Sequence, residues 1–148
     1  MSYQEKKALL NMMITFGVMI IYGSYVYNNN WNPNFNTDEE LQFWAKTLLF
    51  VIPVQIVIHI LVHILFSIIN SIATKNTEFE LTDEFDKIID LKASRNSSTT
   101  FSLGMIAGFV VIYMGYGLTY FFISLIAAGM ISEIVDGISR VYYYRQGV

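Results

Sequence analysis

The chain has 148 residues, of which 54% are hydrophobic and only 14% are charged, whereas an average soluble domain is about 25% charged. Nine Lys and Arg residues against 12 Asp and Glu residues give a net charge of -3, which provides no basic surface for nucleic acid. The absence of cysteine excludes a disulfide framework, a thiolate metal site and a cysteine nucleophile. We therefore expect lipid to cover most of the surface.

The first apolar segment covers about residues 8–27 and directly follows Lys6 and Lys7. It ends in a Tyr-rich stretch without the small-residue pattern of a cleavage site, which favours a retained transmembrane helix over a signal peptide. These tyrosines, together with Trp31, are typical of the aromatic belt at a membrane interface.

The second helix contains the longest apolar run of the chain, over about residues 42–73. This run far exceeds the ~20 residues that a helix needs to cross ~30 Å of hydrocarbon. Thr37 and Glu40 have the spacing of a capping box, which predicts a helix start near Asp38. Polar residues recur at every fourth position and therefore share one stripe, which must face other protein or water. These residues are Gln55, His59, His63 and Ser67.

The polar segment that follows predicts a short amphipathic helix over about residues 82–95. Thr82 can cap this helix, and its acidic first turn suits the positive end of a helix dipole. Apolar side chains recur at helical spacing on one face. The acidic residues form either a solvated surface or a docking surface for a cytoplasmic protein partner. These residues are Asp83, Glu84, Asp86 and Asp90.

The last apolar block is long enough for two spans, of about residues 101–120 and 122–144, joined by a tight turn at 120–123. Gly104 and Gly108 have GxxxG spacing, which permits close contact with a neighbouring helix or with a second copy in a homodimer. We therefore predict one all-α domain over residues 1–148, an integral membrane four-helix bundle with a short cytoplasmic amphipathic helix between spans two and three. The basic residues lie on one side of it, so the positive-inside rule predicts that both termini are cytoplasmic.

Two phrases of the sequence have a recognisable form. Residues 82–95 contain Asp83, Glu84 and Asp86, and residues 132–145 end in three consecutive tyrosines and Arg145. These phrases resemble the Asp-Glu-x-Asp cytoplasmic loop motif and the Tyr-rich C-terminal helix end of a group of small four-span prokaryotic membrane proteins of unknown function. The resemblance implies a bacterial inner-membrane protein with four spans, and it brings no established activity.

Charged residues inside the last span define the candidate site. Glu133, Asp136 and Arg140 are spaced three and four residues apart, so they share one helix face. Charges in a span cost roughly 2.5–3.5 kcal/mol each and face protein or water rather than lipid. At ~1.5 Å per residue, His59 is expected at the depth of Asp136, which predicts that spans two and four turn their polar residues towards each other. The candidate cluster comprises Gln55, His59, His63, Glu133, Asp136 and Arg140.

Three interpretations of this cluster remain open. In the first, Asp136 pairs with Arg140 and the other polar groups are structural, which suits an interaction or regulatory module. In the second, His59 and the carboxylates couple a proton or cation to transport. In the third, the two histidines and two carboxylates, His59, His63, Glu133 and Asp136, bind a divalent transition metal such as zinc. A zincin-type protease is not favoured, because the two histidines lack the intervening Glu of an HExxH motif, and the sequence provides no other signature of an enzyme.

Overall fold

The structure, a computed structural model, describes residues 3–32, 34–74 and 84–146. Within these ranges it contains four helices and no strand: α1 (Tyr3–Asn30), α2 (Thr37–Thr74), α3 (Glu84–Tyr113) and α4 (Leu118–Gln146). Three of them, α1, α2 and α4, are long and apolar enough to cross a membrane. The predicted all-α class is therefore confirmed, and three of the helices have the length and hydropathy of membrane spans.

The contacts of α1 with α2 show that these two helices are antiparallel. Near the start of α1, the hydroxyls of Tyr3 and Ser67 are 3.3 Å apart. Near its end, the Tyr22 hydroxyl donates to the backbone carbonyl of Thr47 at 3.2 Å. A small apolar core lies between these contacts, because a stripe of each helix is removed from lipid there. Its buried members are Ile14, Val18 and Val51.

The contact between α3 and α4 depends on glycine. A Cβ atom built on Gly104 would lie 2.3 Å from the Cβ of Ala128, and one built on Gly108 would lie 2.9 Å from the Ser124 hydroxyl. Because glycine has no side chain, the two backbones can approach closely. The face formed by Gly104 and Gly108 therefore packs against α4 of the same chain. In the part of the chain that the structure describes, α3 contacts no helix other than α4.

The structure joins the predicted amphipathic helix and the predicted third span into one continuous helix, α3. The junction is the Ser- and Thr-rich stretch at residues 96–100, which lies between the predicted amphipathic helix and the predicted third span. In the structure, the hydroxyls of Thr99, Thr100 and Ser102 donate to the carbonyls four residues earlier, at 2.8, 2.9 and 2.8 Å. These bonds satisfy the hydroxyls along the helix, so the stretch continues the helix instead of interrupting it.

The turn between α3 and α4 lies at residues 114–117 rather than at the predicted 120–123. Gly115 and Gly117 adopt φ angles of 81° and 91°, and glycine reaches this left-handed region without steric cost. The sequence interpretation counted both glycines as part of the third span. The third helix therefore ends at Tyr113, and α4 begins at Leu118.

The capping box of α2 differs from the prediction by one residue. The Glu39 amide donates to Asn36 Oδ1 at 2.9 Å, and the Asn36 amide donates to Glu39 Oε2 at 3.0 Å. The helix begins at Thr37, so Asn36 occupies the position at which a cap is effective. Glu40 is therefore not part of the cap. Its carboxylate accepts a hydrogen bond from the backbone amide of Thr119 in α4 at 2.8 Å.

Candidate functional site

Contacts between the helices define two ends of the molecule. At the polar end, Tyr3 of α1 lies beside Ser67 of α2, and the Tyr144 hydroxyl of α4 donates to Asp86 of α3. The opposite end, called the loop end here, contains the turn at residues 114–117 and the described residues between α1 and α2, which are 31–32 and 34–36. All four helices extend between the two ends, which allows the depths of their side chains to be compared.

The structure brings His59 and Glu133 to one depth. The side chain of Asn11 contacts His63, and the next residue along α1 lies against Gly137 of α4. His63 and Gly137 are therefore at one level. One turn closer to the loop end on each helix lie His59 and Glu133. The sequence interpretation expected His59 at the depth of Asp136, so the observed level of His59 differs from the expected one by about one turn of α4.

Each histidine is held by a hydrogen bond from one ring nitrogen. His59 Nδ1 donates to the backbone carbonyl of Gln55 at 2.9 Å, and His63 Nε2 contacts Asn11 Oδ1 at 2.5 Å. The centroids of the two rings are 6.3 Å apart. Since a carbonyl oxygen only accepts, Nδ1 of His59 carries a hydrogen, and its Nε2 is the acceptor of a neutral ring.

Asp136 and Arg140 form an ion pair one turn apart on α4. Arg140 Nε donates to Asp136 Oδ2 at 2.5 Å, and the same guanidinium also donates to Asp90 of α3. The Asp136 side chain is 20% exposed, so the pair is partly shielded from solvent and held more firmly than a surface pair. This pairing engages the Asp136 carboxylate on its own helix.

A polar seam joins the first half of α3 to the end of α4. The Asn96 amide donates to the hydroxyls of Ser139 and Tyr143, both at 3.2 Å, and the Lys92 ammonium lies 5.5 Å from the centroid of the Tyr143 ring. Tyr144 and Arg140 donate to acidic residues of α3. The seam consists of Asp86, Asp90, Lys92 and Asn96 on α3, and Ser139, Arg140, Tyr143 and Tyr144 on α4.

The four acidic residues of the candidate docking surface do not share one environment. Asp86 and Asp90 contact α4 through the polar seam, whereas Glu84 is exposed. Asp83 lies outside the described residues. Two members of the candidate surface thus stabilise the helix pair itself.

Glu133 is the member of the cluster with the fewest contacts. Its side chain is half-buried, and it makes no hydrogen bond or ion pair within the part of the chain that the structure describes. It lies within electrostatic range of His59, Asp136 and Arg140. An ionisable group in this position can exchange a proton without first breaking a bond.

Metal binding finds no support in this geometry. Among residues 3–32, 34–74 and 84–146, no group of three or more His, Cys, Asp or Glu side chains converges closely enough to hold a metal ion. The reason is that His63 contacts Asn11 and Asp136 contacts Arg140. Zinc sites use at least three protein ligands around one ion, so the metal interpretation lacks its ligand set there.

A cavity at the loop end was not anticipated from the sequence. It has a volume of about 260 Å³ and lies between α1, α2 and α4. Trp44 lines the cavity, and its ring stacks on that of Phe122, with ring centroids 5.6 Å apart. The sequence feature that could have indicated this cavity is the cluster of tyrosines that ends the first span, together with Trp31. The sequence interpretation assigned these rings only to the membrane interface. Six of the lining residues are Tyr22, Gly23, Tyr27, Trp31, Trp44 and Ile123.

No protein-family model, curated protein or solved structure matches this chain.

Proposed function

We propose that this protein is a four-span protein of the bacterial inner membrane that acts as an interaction module, with a partner bound to the outward face of α3. This proposal retains the family that the two sequence phrases resemble. It assigns the protein no catalytic role. The supporting steps concern the path of α3, the orientation of the molecule and the exposed face of its polar half.

The antiparallel contact with α4 supports α3 as the fourth span. The two helices touch at Phe109 and Phe121 near the loop end, where the ring centroids are 5.7 Å apart. They touch again at Asp86 and Tyr144 at the polar end. A membrane crossed by α4 is therefore crossed by α3 as well. The hydroxyls bonded along α3 assist this, because lipid offers them no other partner.

The distribution of basic residues supports a cytoplasmic polar end. By the positive-inside rule, segments rich in Lys and Arg next to a span remain in the cytoplasm. The helix ends that form the polar end carry most of the basic residues, whereas the loop at residues 31–36 carries none. Both chain termini then lie on the cytoplasmic side. The basic residues at this end are Lys6, Lys7, Lys87, Lys92, Arg95, Arg140 and Arg145.

The observation that carries the proposal is the exposed face of α3 at the polar end. On the side that packs against α4, Ile89 and Ala93 are fully buried. On the opposite side, Ile88 and Leu91 are exposed between basic residues. Apolar side chains uncovered at the level of solvent mark interaction surfaces. We call this face the outer stripe, and it consists of Lys87, Ile88, Leu91 and Arg95.

The charge of the outer stripe indicates its partner. Lys87 and Arg95 flank the two apolar residues, so an acidic protein segment with an apolar centre complements it. Asp86 and Asp90, which the sequence offered as part of a docking surface, are bonded to α4. We therefore place the partner on the outer stripe instead of on these acidic residues. The polar seam holds α3 against α4, and the stripe is thus presented in a fixed orientation.

Site-specific crosslinking tests this proposal. The chain contains no cysteine, so a single Leu91→Cys variant carries a photo-crosslinker at one position only. Leu103→Cys is the matched control, because Leu103 lies on the same helix and is 64% exposed, against 72% for Leu91. In native membranes we expect a discrete adduct with another protein at position 91 and none at position 103.

Charge reversal makes the test specific. Lys87→Glu together with Arg95→Glu should abolish the adduct at position 91, because the acidic partner is then repelled. An adduct that survives this reversal, or one of the mass of two copies of the chain, would contradict the proposed partner. An adduct that forms at both position 91 and position 103 would contradict the outer stripe as the binding site.

Glu133 favours a second candidate function, proton-coupled transport. A carboxylate inside a span without a bonded partner is costly, and such groups mark ion and proton pathways. The nearby His59 is a suitable proton-exchange neighbour. However, Glu133 lines neither the cavity at the loop end nor the groove beside Gly17, and for this reason we favour the interaction module.

Proton flux into liposomes tests the second candidate. Purified protein is reconstituted around a pH-sensitive dye, and the rate of acidification is measured after a pH jump. Glu133→Gln should abolish the protein-dependent flux, whereas Glu84→Gln, on the exposed part of α3, should retain it. A wild-type rate equal to that of protein-free liposomes would remove this candidate.

A further inference from the structure

The cavity at the loop end adjoins the hydrocarbon of the membrane. Its lining comes from three helices that can each cross a bilayer. It also includes Tyr22, Tyr27 and Trp31, whose residue types are typical of the membrane interface. With a volume of about 260 Å³, it is smaller than the ~300–1,000 Å³ pockets that take whole drug-sized ligands. Its size suits a segment of a narrow molecule.

The polar atoms inside the cavity are already hydrogen-bonded within the chain. The Tyr22 hydroxyl donates to the Thr47 carbonyl at 3.2 Å, and the Thr47 hydroxyl donates to the Phe43 carbonyl at 2.8 Å. The Trp44 indole donates to the Thr119 hydroxyl at 3.1 Å. The lining contains no charged side chain. A polar ligand would lose its hydration there without compensation, and an apolar cavity of this kind does not hold water.

The rim of the cavity has the opposite character. Tyr27 is exposed in the last turns of α1, and Trp31 follows the end of that helix. Neither the Tyr27 hydroxyl nor the Trp31 indole N–H has a hydrogen-bond partner within residues 3–32, 34–74 and 84–146. Tyr and Trp at membrane interfaces present an apolar body and a polar tip to the headgroup region. The rim therefore offers two donors where lipid ester carbonyls lie.

We propose that this cavity binds one acyl chain of a membrane phospholipid, with the chain between α1, α2 and α4 and the ester group at Tyr27 and Trp31. The dry interior selects hydrocarbon, and the donors of the rim select an ester-linked chain over a plain alkane. The bound chain fills the space between three spans that otherwise share few direct contacts. This inference is independent of the interaction-module proposal, because it concerns the opposite end of the molecule.

The two tryptophans of the chain provide a direct reporter. The sequence contains only Trp31 and Trp44, and both line the cavity. The full chain is purified in a non-quenching detergent and titrated with phosphatidylglycerol carrying dibrominated acyl chains. We expect fluorescence quenching that saturates at one lipid per chain. Quenching that instead rises in proportion to the bulk fraction of brominated lipid would overturn the proposal.

A cavity-filling variant and a matched control locate the bound chain. Gly23 lines the cavity, and a Cβ atom built on it meets no atom within 4 Å, so the larger side chain of Gly23→Leu can extend into the cavity space. Gly17→Leu is the control, because Gly17 lies on the same helix, has equally open surroundings and lines a different groove. Gly23→Leu should abolish saturable quenching, and Gly17→Leu should retain it. Equal saturable quenching in both variants would overturn the proposed location.

Two further variants test the cavity and its rim independently of Gly23→Leu. Ile123→Phe fills the cavity from α4 and should abolish saturable quenching even if Gly23→Leu does not fold. Tyr27→Phe removes one donor of the rim and should weaken phospholipid binding several-fold, while the binding of a dibrominated alkane is unchanged. Saturable binding of the alkane without binding of the phospholipid would overturn the assignment of a lipid.

Discussion

Replacing Gly104 by Ala tests the close packing of α3 on α4, on which the four-span topology depends. The added Cβ would lie 2.3 Å from the Cβ of Ala128 and 3.2 Å from its Cα, whereas carbon atoms pack at about 3.5–4.0 Å. Neither atom belongs to a flexible side chain that can rotate away. The two helices must therefore separate by about 1 Å or more, since packed interiors have little free space.

The expected change in stability follows from two opposing effects. Overpacking of a well-packed contact costs about 1–3 kcal/mol. Ala in place of Gly in a helix contributes about 0.5–1 kcal/mol in the stabilising direction. We expect Gly104→Ala to lower the free energy of unfolding by about 1–2 kcal/mol, because the clash involves backbone and the directly attached Cβ.

The assay measures the free energy of unfolding of the full chain in mixed micelles. A denaturing detergent is titrated, and helix content is followed by circular dichroism. Gly129→Ala is the control, because a Cβ atom built on Gly129 meets nothing within 4 Å, and it should not destabilise the protein. Ala128→Gly combined with Gly104→Ala should recover most of the lost stability. Equal stability of Gly104→Ala and Gly129→Ala would refute the close contact.

Two other predictions use the same assay. Arg140→Met leaves Asp136, which is 20% exposed, without its ion pair and should cost about 1–3 kcal/mol, less than the ~3–5 kcal/mol of a fully buried pair. Asp90→Asn, at a half-exposed partner of Arg140, should cost only about 0–1 kcal/mol. Equal losses of stability in Arg140→Met and Asp90→Asn would contradict this order. Glu40→Ala removes the acceptor for the first turn of α4 and should cost about 0.5–2 kcal/mol. Asp38→Ala, at an exposed neighbouring position, should have no such effect.

Part of the candidate site could be predicted by counting residues along helices. At ~1.5 Å per residue, counting predicts His59 near the depth of the acidic pair and level with Asp136. The structure places His59 level with Glu133 instead, because α4 begins at Leu118, about one turn before the assumed start of this span. The pairing of Asp136 with Arg140 was among the open interpretations, since residues four apart share a face.

Other contacts could not be predicted in this way. Asp90 bonds Arg140, 50 residues away along the chain, and Glu40 bonds Thr119, 79 residues away. Both contacts depend on which helices are neighbours and on how each is rotated about its axis. Spacing along one helix contains neither quantity. Asp90, expected on a docking surface, and Glu40, expected to cap α2, are therefore found bonded between helices.

The sequence by itself determined the helical class and the membrane-spanning character, because lipid provides no partner for backbone groups and long apolar segments must satisfy them within a helix. It determined the depth of the polar residues only to within about one helical turn, because the helix ends were assumed. Only the tertiary structure decided that α3 is one helix with its glycine face against α4, that Glu133 lacks a bonded partner within the described ranges, and that three aromatic-rich helix ends enclose a cavity. These features arise from the rotation and contact of whole helices, and the energies that select them are sums over residues far apart in the chain.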